Sequence, residues 1–315
     1  MSKYMNPYTD YGFKRLFGEE FNKDILIDFL NEILKDETGR IQDITYLNTE
    51  RLGATELDRG AVFDIYCKSE AGESFIVEMQ KAKQNFFKER SVYYATFPIR
   101  DQAKKGPWDF DLKAVYTIGI LDFVFDETAA NDDVISRVKL CDTETQKVFY
   151  DKLTFIYLEM PKFNKTENEL KTHLDKWLYV FRHLGTLEKR PAKLKQRIFE
   201  RLFQSAEIAK FTSDDVTQYE NSLKHYRDVK NVIDTALMEG EAIGVEKGEA
   251  IGIEKGEAIG IAKGEAIGIE KGEAIGIRKK AEETAIKMHR LGMSDTEISD
   301  VTGLSVADIG QLMGK

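Results

Sequence analysis

The sequence predicts an α/β fold in which a set of strands is preceded and followed by helices, with a glycine-rich repeat and a short helical tail beyond them. Three observations predict it. Between residues 41 and 160, short runs rich in β-branched and aromatic residues are separated by polar connections. On both sides of that stretch, apolar residues recur at the three-and-four spacing of amphipathic helices. From residue 240 the pattern becomes an eight-residue period with glycine at every fourth position.

Taken in order, Thr9 to Leu34 places Phe13, Leu16 and Phe17, then Ile25, Phe29, Leu30, Ile33 and Leu34, on helix faces. Strands follow at 41–50 (IQDITYLNTE), 61–67 (AVFDIYC) and 74–80 (SFIVEMQ), the last two joined through SEAGES as a glycine-containing hairpin. A helix is expected over 85–104, stopped by Gly106 and Pro107. Residues 112–123 and 152–160 complete the strand set. Residues 167–184, 192–209 and 213–238 have helical length and periodicity, with Lys189, Arg190 and Pro191 as punctuation. No linker precedes them, so 164–238 reads as a helical extension of one domain spanning 1–238.

The segment 239–277 is dominated by the repeat GEAIG(I/V)(E/A/R)K, whose five copies start at Gly240 and end at Lys279, two residues into the tail. Its Ala, Ile, Glu and Lys favour helix, while each glycine costs about 1 kcal/mol relative to alanine. A packed stalk or oligomeric helix and a flexible tether or marginal helix both fit. In the tail, 278–315, helices are expected from Ala281 to Leu291, after a Ser294/Glu297 capping box, and after Ser305, with turns at Gly292 and Gly303. The spacing resembles a helix-turn-helix; Asp295, Glu297 and Asp300 weaken a DNA-reading role, and a small protein-interaction or capping bundle is the alternative.

Composition narrows the function. The chain is 42% hydrophobic and 32% charged, with no apolar run near the length of a membrane span, so no membrane partner is expected. The N-terminus lacks the apolar core of a secretory signal, and Cys67 (in a strand) and Cys141 (in a polar connection) suggest no disulfide framework or zinc site; a cytoplasmic protein is the expectation. A net charge of −9 argues against a protein that coats nucleic acid by bulk electrostatics, but not against one with a local basic groove.

The chemistry-bearing signal lies in two apolar strands that carry polar groups. In SFIVEMQ, Glu78 and Gln80 share one face with Ile76, opposite Phe75, Val77 and Met79. Asp64 interrupts AVFDIYC, and a hairpin centred on residues 70–72 sets it opposite Glu78. Two carboxylates in a poorly solvated place repel, and Mg²⁺ or Mn²⁺ removes the conflict with hard oxygen ligands. From spacing alone, a pair of strand-edge carboxylates facing water fits equally well.

At these residues the chain resembles the PD-(D/E)XK nuclease superfamily, and more closely its recombination-promoting nuclease (Rpn) and transposase branch. The resemblance rests on TDYGFKRLFG, FLNEIL, FDIYC, IVEMQ and RSVYYATF with Arg90 and Tyr94, and covers about residues 5–238. It implies a restriction-endonuclease-like fold, a mixed central sheet flanked by helices, that cuts DNA with Mg²⁺ or Mn²⁺. It further implies that Asp64, Glu78 and the Met79 carbonyl bind metal. Gln80 stands where the superfamily has a lysine; it can orient water but carries no charge and is no base. Lys14, Lys83, Lys88 or Arg90 would supply the missing charge, while Lys81 points to the opposite face. Phe13 and Tyr94 read as packing groups, Asp10 as a helix cap or a neighbour of the metal, and the basic run 189–197 as a solvated face. The function expected is a metal-dependent DNA endonuclease tied to transposition or recombination. The alternatives are a nuclease fold that grips DNA without cutting it, and an assembly protein that forms a homo-oligomer through repeat and tail.

Overall fold

The computed structural model describes residues 2–51, 61–103 and 109–314. They divide into two compact units, Met1–Thr235 and Ala236–Lys315. The first opens with helices α1 (Asp10–Phe17) and α2 (Lys23–Ile33), followed by strands β1 (Ile44–Tyr46), β2 (Glu50–Arg51), β3 (Ala61–Val62), β4 (Ile65–Ser69) and β5 (Ser74–Gln80). Helix α3 (Phe87–Arg100) leads into β6 (Val115–Leu121), β7 (Ile135–Cys141) and β8 (Val148–Glu159), and helices α4 (His173–His183) and α5 (Arg197–Ala206) come next.

Six strands form one mixed sheet in the order β1-β4-β5-β6-β8-β7, with β5, β6 and β8 parallel and the other pairings antiparallel. A separate two-stranded ribbon pairs β2 with β3. The β4–β5 ladder pairs Ile65 with Val77 and Cys67 with Phe75, the register that the sequence predicts for a hairpin centred on 70–72. Its turn uses Gly72 at φ 92°, backbone that a residue with a Cβ rarely adopts.

The sheet is covered on both faces, which explains why every residue of β5 is buried. Met79, Ile118, Ile120, Ile156 and Leu158 point into a core with Phe13, Phe17, Phe29, Trp177 and Phe199 from α1, α2, α4 and α5. On the other side Leu121 and Tyr157 pack with Phe87 and Ala95 of α3, and Ile76 packs with Phe63, Tyr66 and Phe97. Phe13 is therefore a core residue, as its helical spacing suggests.

Several expectations need correction. The run 61–67 is not one strand: it breaks at Phe63 and Asp64, where the chain leaves the ribbon and joins the sheet. The helix expected over 85–104 is shorter, Phe87–Arg100, and its expected stop at Gly106 and Pro107 lies outside the described residues. Cys141 is not in a connection but ends β7, an edge strand whose residues are exposed or half-buried, so no apolar alternation marks it. Strand β8 begins at Val148, earlier than its apolar half suggests, because its first residues pair only with that edge.

Helix α6 (Ser213–Arg290) contains the whole repeat, which is thus helical. Its first turns belong to the first unit, where Tyr219 and Ser222 accept the amides of Asn6 and Tyr11. In the second unit, α7 (Asp295–Thr302) starts at the Ser294/Glu297 capping box and α8 (Val306–Leu312) at Ser305. Ala285, Ile298 and Ile309 form their small core.

Candidate active site

The break at Phe63 and Asp64 creates the central geometry. With no ladder partner, the Asp64 amide donates to Glu78 Oε1 at 3.2 Å, while the Met79 amide donates to Asp64 Oδ2 at 2.8 Å. Each carboxylate thus accepts a hydrogen bond from the backbone of the other's segment, which fixes the two acids side by side. Gln80 Nε2 donates to Glu78 Oε2 at 3.3 Å. Glu78 is 6% exposed and Gln80 9%, so Glu78 does not face water.

That burial has an electrostatic cost. Desolvation, then the charge of Asp64, pushes the Glu78 carboxyl up to about 8. Burial also raises the Asp64 carboxyl, against the pull of its hydrogen bond from Met79. The two acids cannot both remain ionised at neutral pH without a nearby cation.

Helix α3 lies over this face of β5 and brings a guanidinium near, yet even against its pull the Glu78 carboxyl stays at about 8. Arg90 and Tyr94, one turn apart, are the α3 side chains whose charge or hydroxyl is electrostatically linked to Glu78: the guanidinium lowers the Glu78 carboxyl, and burial, then Glu78, raises the Tyr94 hydroxyl. Arg90 Nη1 donates to Gln84 at 2.5 Å and the guanidinium lies 5.3 Å from the Phe87 ring centre, but Nη2 is buried with no hydrogen-bond partner among the described residues. An unpartnered buried donor near Glu78 suits an anionic oxygen. Room on this face depends on Gly119, which pairs with Glu78 across β5 and β6: a Cβ there would sit 3.0 Å from Tyr157 and 3.5 Å from Phe87.

The other expected cations divide. Lys83 pairs with Asp126 and Lys88 with Glu127, so both are engaged by other carboxylates. Lys14 pairs with Asp10 at 3.1 Å, and both charges act on Asp64. Asp10 does not cap α1, because Thr9 does, accepting the Gly12 amide. Lys81 was missed by strand alternation. The strand ends at Gln80, and Lys81 just beyond it interacts with Asp64: burial lowers the Lys81 ammonium while Asp10 and Asp64 hold it up. The basic run 189–197 gives a single ion pair among the described residues, Arg190 with Glu200, and behaves as a solvated face.

No group of three or more His, Cys, Asp or Glu side chains that could hold a metal occurs among the described residues. A hard divalent ion here would have two carboxylates, with backbone oxygen and water as its further ligands. That set fits Mg²⁺, which keeps several waters and needs few protein carboxylates.

The model of the family described as PD-(D/E)XK nuclease family transposase matches residues 7–236, more than two thirds of the chain. The chain belongs to this family. Within the matched residues lie both acids, Gln80, Arg90 and the first turns of α6. No curated protein and no solved structure matches it. No helix among the described residues is long and apolar enough to cross a membrane.

Proposed function

We propose that this protein is a metal-dependent DNA endonuclease of the recombination-promoting nuclease branch, working in the cytoplasm. Its nuclease domain would span residues 1–238, followed by the repeat at 239–277 and the tail at 278–315. The observation that carries the reading is the pair Asp64 and Glu78, buried, hydrogen-bonded into each other's segments, and in conflict over charge. Asp64, Glu78 and the Met79 carbonyl would hold Mg²⁺ or Mn²⁺, which when bound activates water and neutralises phosphate charge. Gln80, held by Glu78, orients a water through its amide. Arg90 takes over the positive charge that a lysine at position 80 would bring, its free Nη2 donating to a phosphate oxygen. Lys14 and Lys81 temper the charge on the Asp64 side. Tyr94 packs beside Arg90, while Lys83 and Lys88 stay in their ion pairs.

A plasmid-nicking assay in Mg²⁺ tests this. Asp64→Ala and Glu78→Ala each lower the rate on the order of 100-fold or more, and activity equal to that of the unaltered protein would sink the assignment. Gln80 favours a second reading, a fold that binds DNA without cutting. An inactive natural protein that retains DNA binding and gains cleavage with Gln80→Lys would establish it.

A further inference from the structure

Between Gly240 and Ile277, ten isoleucine and valine side chains of α6 are 51 to 72% exposed. A Cβ added at any of the ten glycines there would meet nothing within 4 Å. A solitary helix of this kind is poorly stable, since each glycine costs about 1 kcal/mol relative to alanine. Its apolar surface stabilises only when covered. Ten such side chains present on the order of 1,000 Å², close to the ~800 Å² per partner of a stable interface.

The charge pattern says what covers it. Glycines four apart form a row that drifts about 40° per step around the helix. Along one flank of that row Glu and aliphatic residues alternate, as in Glu249 and Ile253; along the other, Ile251 and Lys255 begin an alternation of Ile and Lys. Alanine and the remaining glutamates, Glu246, Glu254 and Glu270, lie behind. When two such helices run parallel, opposite flanks meet, so the Glu flank of each faces the Lys flank of the other. In register, Glu249 falls two residues from Lys247 of the partner subunit, and Ile253 two residues from Ile251 of the partner subunit. Antiparallel helices would set Glu against Glu and Lys against Lys.

We propose that the repeat pairs with the repeat of a second copy of this chain, parallel and in register, glycine row against glycine row. Without a Cβ in that row the backbones approach closely, and the drift makes the pair wind in the right-handed sense of interlocked four-residue ridges. Aliphatic burial supplies the affinity. The exposed ion pairs set direction and register. This goes beyond the nuclease reading and stands whether or not that reading holds.

Light scattering on the full chain at micromolar concentration should give twice 36.1 kDa. A variant with Lys247→Glu, Lys255→Glu, Lys263→Glu and Lys271→Glu, and another with Glu241→Lys, Glu249→Lys, Glu257→Lys and Glu265→Lys, should each dimerise at least about tenfold more weakly; mixing the two restores the dimer. Circular dichroism confirms that both remain folded. Direction is read with Gly244→Cys in a Cys141→Ser background, which oxidises to a covalent dimer only when parallel chains are in register. A monomer, a trimer, charge variants that dimerise as well as the natural chain, or a dimer that fails to cross-link would overturn the proposal.

Discussion

Strand β5 and the repeat of α6 break the same rule in opposite directions. In β5 every residue is buried, and the residues that do not belong there are Glu78 and Gln80. In the repeat every residue is exposed, and the misfits are isoleucine and valine. A buried carboxylate and a bare aliphatic row are both unfavourable when alone. Each is therefore a half of something: the first lacks a cation, the second an apolar surface. What a side chain signals depends on where the fold leaves it.

The sharpest way to test the first half is pH. The Glu78 carboxyl is raised from 4.5 to about 8 in the folded chain, so folding favours its neutral form. Its contribution is full below the unfolded value and is lost as pH rises from about 4.5 towards 8. Denaturant titration of the metal-free protein should show that loss, on the order of a few kcal/mol for a shift of this size. Glu78→Gln should flatten the profile, and Mg²⁺ should restore stability at pH 8 in the natural chain only. A profile unchanged by Glu78→Gln would remove the charge conflict from the comparison.

Glycine gives a second contrast. Gly119→Ala drives a Cβ to 3.0 Å from Tyr157 and should cost about 1–3 kcal/mol in thermal unfolding. Gly260→Ala meets nothing within its own chain and should raise helicity by circular dichroism, by about 1 kcal/mol of propensity, while weakening the paired state. Equal effects at the two positions would mean that the repeat glycines face packed surroundings like those of the sheet. The smallest effect is expected at Tyr226, whose hydroxyl donates to Asp122 at 3.2 Å. Tyr226→Phe should cost about 1 kcal/mol or less in the same unfolding measurement.

Much of this was legible in the sequence because it depends on local pattern. Gly72 and the alternation of SFIVEMQ gave the hairpin register, helical spacing gave α1 and α2, and the capping serines gave α7 and α8, whereas the separate helix expected over 281–291 is the end of α6. The break at Asp64 was not legible, because FDIYC scores as continuous strand and only the ribbon of β2 and β3 diverts it. Strand β7 escaped for the opposite reason: on an exposed edge, Ser136, Arg137 and Lys139 need no apolar alternation. Arg90 stood out from Lys83 and Lys88 only once α3 was placed, since which cation reaches the acids depends on the acidic loop that captures the other two. Alternation points Lys81 to the opposite face, but that rule ends with the strand at Gln80.

The candidate site has one more property, visible in its numbering. Asp64, Glu78, Gln80, Arg90 and Tyr94 come from a single hairpin and the helix that follows it, so little chain must be searched to bring them together. Contacts of such short range cost the least loop-closure entropy and can form early in folding, whereas β6 must cross over from α3 to lie beside β5, and β8 to lie beside β6. The acids can therefore meet while water still surrounds them, and their conflict sharpens only as the later strands close over the hairpin. The charge problem that marks the site is then a late arrival in the folding of the chain.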